Sequence, residues 1–336
     1  MRHGNLRRSL RLKAAEVSDL PAFVIMRSGV PWFSYDGVNW EQGTGTPPSV
    51  NIWGGAYNGE KFLFVGSSGA LFESANGKDF TPGTISGGSG NIGSANLENF
   101  GWCEGLGRFV GLRTNNVYSS PDGLPGTWTN HSSVPGRQTS NNKLIVLKNG
   151  VLLISSSATS PYPTQMQYST DLVNWPVIWT TSPGTSLNYL AEACAVGNGM
   201  AAMRREIDQS LRSADMSSVV NGGAFGFGVP YSDLSSDSKM VYAPFLDRLI
   251  ILSGSNWLGK YSDNKGVSWS AMAASPAGPG SSNTRLKWSE AAKKFLAMAN
   301  NSTAAGQNIR LSSDGSSFAT QAVWGTTGSS TAIIAR

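Results

Sequence analysis

Ser34-Tyr35-Asp36-Gly37-Val38-Asn39-Trp40 is the stretch whose reading decides the fold. An Asp oxygen can accept from backbone N–H groups one and two residues on, Gly can take the positive φ of a tight reversal, and the aromatic can cover apolar surface beside the turn. Variants recur as Ser74-Ala75-Asn76-Gly77 with Phe80, Ser120-Pro121-Asp122-Gly123 with Trp128, and Ser169-Thr170-Asp171 with Trp175. Ser213-Ala214-Asp215 keeps only the first half, Ser262-Asp263-Asn264 reaches Trp269 through a longer turn, and Ser312-Ser313-Asp314-Gly315 ends on Phe318. The positions 36, 76, 122, 171, 215, 264 and 314 lie 40 to 50 residues apart. Strand-like units at that period indicate propeller blades, and these Asp and Asn residues read as structural clasps.

Working outward, each unit offers an apolar strand, a short turn, a second apolar strand, a loop, a third strand running into the Ser-x-Asp turn, and a fourth strand. The first unit lacks its first strand. Ser330-Thr331-Ala332-Ile333-Ile334-Ala335 is an apolar run with no unit of its own, so it is expected to become the innermost strand of blade 1 and remove the open edges. The fold expected is all-β: a seven-bladed β-propeller over residues 21–336, closed by a C-terminal strand joining blade 1 and preceded by a short basic N-terminal arm, residues 1–20.

Composition agrees with one turn-rich closed array: 336 residues, 40 Gly, 16 Pro, 11 Trp and 14% charged residues. The net charge of +5 comes from 26 basic against 21 acidic residues. Arg2, Arg7, Arg8, Arg11 and Lys13 precede the first acid, Glu16, leaving 21 basic and 21 acidic residues from residue 14 onward. The body is neutral, which disfavours a nucleic-acid groove along it. In the arm these cations alternate with Leu6, Leu10 and Leu12 in a short amphipathic, helix-compatible pattern that stops at Pro21. It reads as a partner-docking segment. No run approaches 18 apolar residues and the amino terminus lacks an apolar signal region, so neither membrane insertion nor a secretory leader is expected. Cys103 and Cys194 fall in blades that would not be neighbours, which disfavours a disulfide.

The turns resemble the Asp-box, or BNR, repeat shared by sialidases, sortilin-type receptors, photosystem-assembly propellers and bacteriophage tail proteins, over nearly the full chain after residue 21. The resemblance implies the propeller fold, with the turns on the face away from the usual ligand site. It carries no chemistry by itself. The opposite face would be built from long Ser-, Gly-, Asn- and Thr-rich loops, including 155–165 with Tyr162 and 253–258 with Trp257. That composition suits an adaptable recognition surface.

Sialidases carry an Arg-Ile-Pro motif, absent here, and need three arginines, a Tyr-Glu pair and an Asp acid. Arg27, Arg113 and Arg204 do end the second strands of blades 1, 3 and 5, and with Arg205 nearby they form a candidate anion-binding set. A glycosidase also needs two carboxyl groups about 5–9.5 Å apart. Only Glu206 and Asp208 cluster in a candidate loop, where a surface salt-bridge cluster is the simpler account. Two histidines, His3 and His131, make no triad or metal site, and no phosphate or calcium loop is present. No catalytic residue, metal or cofactor is assigned. The expectation is a non-catalytic phage-type virion or tail component, located on the virion, that recognises a host surface glycan or docks other virion proteins, the latter through its arm. The alternatives are a glycan-cleaving enzyme and an intracellular assembly scaffold in the cytoplasm.

Overall fold

The structure is a computed structural model. It describes residues 19–27, 29–45, 52–84, 100–113, 116–131, 140–156, 164–180, 190–196, 200–205, 210–215, 226–230, 239–252, 259–264, 268–273, 284–299, 307–324 and 331–336. Residues 1–18 of the basic arm, with all its cations, lie outside the described residues. Among those described there is no α-helix, only two single 3-10 turns, Ser67–Gly69 and Pro244–Leu246.

The strands form four-stranded antiparallel sheets arranged as a ring. Six are built from four consecutive strands. Blade 2 comprises Ile52–Tyr57, Phe62–Gly66, Ala70–Ser74 and Thr81–Thr84; blade 3, Phe100–Cys103, Arg108–Arg113, Asn116–Ser120 and Thr129–His131. Blade 4 comprises Ser140–Leu147, Gly150–Ser156, Thr164–Ser169 and Val177–Thr180; blade 5, Leu190–Val196, Met200–Arg205, Ser210–Asp215 and Gly226–Pro230. Blade 6 comprises Lys239–Ala243, Arg248–Leu252, Gly259–Ser262 and Ser270–Ala271; blade 7, Thr284–Ser289, Lys294–Ala299, Gln307–Ser312 and Ala319–Trp324. The chain therefore encodes six self-contained blades, not seven. The seventh sheet, blade 1, is a splice of both ends: Phe23–Arg27, Val30–Ser34 and Glu41–Gln42 are completed by Thr331–Ala335, with Ile25 opposite Ile333 and Val24 opposite Ile334. First strands of successive blades touch around the ring, and Thr331–Ala335 occupies that innermost place in blade 1.

Second strands are apolar on both faces because each blade is covered on both faces by its neighbours. Phe23, Val24, Ile25 and Met26 are fully buried, as are Phe62 to Val65 and Leu249 to Leu252. Strand alternation then divides each run between two cores. Phe23, Ile25 and Ile333 pack with Leu296, Met298 and Ile309 of blade 7, while Val24, Met26 and Ile334 pack with Phe64, Phe72 and Ile52 of blade 2. Each such burial stabilises by roughly 1.5–3 kcal/mol. Adjacent isoleucines of one terminal strand thus bond two different blade interfaces.

Neither Cys103, which is buried, nor Cys194, which is half-buried, is in a disulfide. Burial pushes the Cys103 thiol pKa up, so it stays protonated in its apolar seat.

Candidate functional site

Third strands all run toward one end of the ring, where the Ser-x-Asp turns lie; the loops between second and third strands, and between blades, lie at the other. The two ends are built differently.

At the turn end, the serine and the acidic or amide side chain each hold backbone N–H groups. In blade 1, Ser34 Oγ accepts from Gly37 N at 2.8 Å, and Asp36 Oδ1 accepts from Val38 N and Asn39 N, both at 2.8 Å. Trp40 Nε1 closes the turn on the Gly37 carbonyl at 2.9 Å. Asn76, Asp122, Asp171, Asn264 and Asp314 do the same work in blades 2, 3, 4, 6 and 7. Asp215 ends the third strand of blade 5, and its side chain lies outside the described residues. Despite some burial, accepted N–H bonds hold Asp36 down to about 2, and Asp122, Asp171 and Asp314 are also lowered. These carboxylates are ionised at neutral pH, and their oxygens hold backbone N–H groups. They are poor proton carriers.

The turns also fasten neighbouring blades, which the sequence pattern did not reveal. Gly37 lies against Leu311 of blade 7, Gly123 against Leu63 of blade 2, and Gly315 against Ile250 of blade 6. A cation opening the second strand of one blade reaches the turn of the next: Lys294 Nζ donates to the Asp36 carbonyl at 3.1 Å, and Arg248 Nη1 to the Asp314 carbonyl at 2.5 Å. Arg248 also forks onto Asp263 at 2.5 and 3.0 Å. The available signal was a basic residue placed directly before an apolar one, as in Lys61-Phe62, Arg108-Phe109, Arg248-Leu249 and Lys294-Phe295.

Every Asp and Glu whose side chain is described lies at the turn end. At the loop end the described charged side chains are cations. Arg27 ends the second strand of blade 1, half-buried, with its pKa lowered by burial. Arg285, near the loop end of the first strand of blade 7, is 7% exposed. Arg113 closes the equivalent strand of blade 3, and Arg204 and Arg205 close that of blade 5. The backbone thus brings Arg27, Arg113 and Arg204 to equivalent ends of alternate blades, though only the Arg27 side chain is among the described ones. Tyr162, Trp257 and the arm residues Arg2, Arg7, Arg8, Arg11 and Lys13 lie outside the described residues. Blade 4 adds two polar groups here: Ser155 Oγ and its cross-strand neighbour Gln165 Oε1 are buried without a hydrogen-bond partner. Among the described residues, no three His, Cys, Asp or Glu converge as metal ligands.

No protein-family model and no curated protein sequence matches the chain. Solved structures do. A protein from Lactobacillus plantarum aligns with a TM-score of 0.60 at 7% identity, over 94% of this chain and 99% of its own. YCF48 from Cyanidioschyzon merolae aligns at 0.55 and 9% identity, over 84% and 88%, and a structure of YCF48 bound to D1 peptide at 0.54 and 13%, over 82% of each chain. The chain is a β-propeller. At these identities the likeness establishes the fold of the propeller alone, and its site must be argued from its own residues.

Proposed function

We propose that this propeller is a non-catalytic recognition module of the Asp-box type, serving as a phage-type virion or tail component. Its loop face would bind a host surface glycan or dock other virion proteins. One observation carries the reading: the described carboxylates sit at the turn end, four of them spent on backbone N–H groups, whereas the loop end offers guanidinium and neutral polar groups. Such donors and acceptors suit recognition of hydroxyls and anionic substituents. The course of the chain agrees with a tethered module, because Asp19 and Leu20, where the described chain begins, lie at the turn end. Tyr35 Oη donates to the Asp19 carbonyl at 3.2 Å and Arg336 Nη2 to the Leu20 carbonyl at 2.7 Å. A ring held through its arm presents its loop face outward. Many copies on a particle would make weak individual sites effective by avidity.

A second reading, an assembly scaffold that docks a peptide, is favoured by the similar propeller solved with a peptide bound. A glycan array, a peptide array and a sugar-release assay on the purified chain separate the readings. We expect glycan binding without sugar release, weakened roughly tenfold in Arg27→Ala and less in Arg27→Lys, with unfolding temperatures unchanged. Catalysed sugar release, or glycan binding indifferent to both Arg27 variants, would overturn the recognition reading. Peptide capture alone would favour the scaffold.

A further inference from the structure

The turn end has the properties of a docking surface in its own right. Several of its cations are already occupied: Lys61 bridges Glu73 at 2.8 Å, Lys148 bridges Glu104 at 3.4 Å, Lys293 bridges Glu290, and Arg248 bridges Asp263. Apolar surface is interspersed with this charge. Tyr35 is 41% exposed, Val38 42% and Phe245 62%. The described chain enters on this same face: Asp19 is held by Tyr35, and Pro21 lies against Gly77 of the blade 2 turn. Immediately before it come residues 1–18, with five cations, one acid and the leucines 6, 10 and 12.

We propose that the turn face is the docking surface for this chain's own arm, residues 1–18, whose cations would meet the carboxylates Glu41, Glu60 and Asp79 beside the blade 1 and blade 2 turns. Three arguments select that occupant. Its origin is fixed on the surface, so its local concentration is set by a short tether rather than by the solution. Its charge is opposite to the net charge around its origin, where Asp19, Asp36, Glu41, Glu60 and Asp79 outnumber Lys78, Lys294 and Arg336. Its reach suffices, since 18 residues span roughly 27 Å even as a helix at about 1.5 Å per residue. This goes beyond the recognition reading and does not depend on it. A docked arm and the turn face would together form the surface on which the ring is mounted.

Trypsin cleavage at Arg7, Arg8 and Arg11 of the full chain tests it, with a free peptide of residues 1–18 as the reference for protease activity at each salt concentration. At low salt we expect cleavage roughly tenfold slower in the chain than in the peptide, since several exposed ion pairs of modest strength act together. The protection should vanish near 1 M salt, where screening shortens to about 3 Å. It should also fall in Glu41→Gln/Glu60→Gln, whose exposed positions leave the fold intact. Equal rates in chain and peptide at low salt would overturn the proposal. So would protection that disappears on hundredfold dilution, because the occupant would then be a second copy's arm.

Discussion

The turns of blades 1 and 4 make the same hydrogen bonds around different residues. Asp36 accepts from the N–H groups of Val38 and Asn39 and Asp171 from those of Val173 and Asn174, the Asn39 and Asn174 side chains reach back to the second carboxylate oxygen at 2.8 and 2.6 Å, and both tryptophans cap the turn. At the residue between Asp and Val, blade 1 has Gly37 with φ +77° and blade 4 has Leu172 with φ +63°. A left-handed leucine costs about 1–2 kcal/mol. Leu172 offsets this by burying its side chain against Cys103, Val110 and Val151, at 2% exposure. In blade 1 the preceding blade supplies the leucine instead, since Leu311 Cδ2 stands 2.7 Å from where a Cβ on Gly37 would be. The turn demands a conformation, and the interblade gap demands a leucine from one side or the other.

Exchanging the two residues breaks that division. Gly37→Leu would add a left-handed side chain to a site already filled by Leu311 and Phe23, and we expect about 3 kcal/mol of destabilisation in chemical unfolding. Leu172→Gly relieves the strained φ but empties a buried site, for a smaller net loss of about 2 kcal/mol. If Gly37→Leu proved as stable as the parent chain, the turns would not be packed interblade clasps.

The same pair shows what was legible in the sequence. The Ser-x-Asp spacing located the turns because their chemistry is local, with serine, acid and N–H groups within five residues. Thr331–Ala335 was legible as a closing strand because five consecutive weakly polar and apolar residues had no unit of their own. The clasp between blades was not, since Gly37 with Leu311, or Lys294 with Asp36, are joined only by ring closure and share no sequence window. The loop-end site was legible only as backbone position: the end of a strand fixes where Arg27 and Arg113 start, not what their guanidinium groups meet. The turn residues, in contrast, were legible as structural clasps, because the accepting oxygen and the N–H groups it holds share one sequence window.

Replacing the acid sharpens the comparison at a lower energy. Asp36→Ala removes the acceptor for two N–H groups and should cost about 1–2 kcal/mol, as loss of a helix N-cap does. Asp36→Asn should cost less than about 0.5 kcal/mol, because Asn76 and Asn264 already serve in blades 2 and 6. Equal losses in the two variants would mean that charge, rather than the accepting oxygen, holds the turn.

Acid titration separates the turns by type. Asp36 titrates at about 2 in the folded ring, because two N–H groups and the Asn39 amide stabilise its charged form, against about 3.9 for an unfolded Asp. A lowered folded pKa means the unfolded chain takes up the proton first. The contribution is therefore complete above about pH 4 and is lost as pH falls through about 2. Asp171 is lowered by the same bonds from Asn174 and Val173 and should follow the same course. Asn76 and Asn264 have no proton to gain, so the blade 2 and blade 6 turns should keep their N–H protection below pH 2. Hydrogen exchange at Val38 and Asn39, compared with Lys78 and Asp79 between pH 4 and 1.5, reads the difference directly. Equal loss of protection at both pairs would show that the ring opens as a whole before the Asp turns titrate.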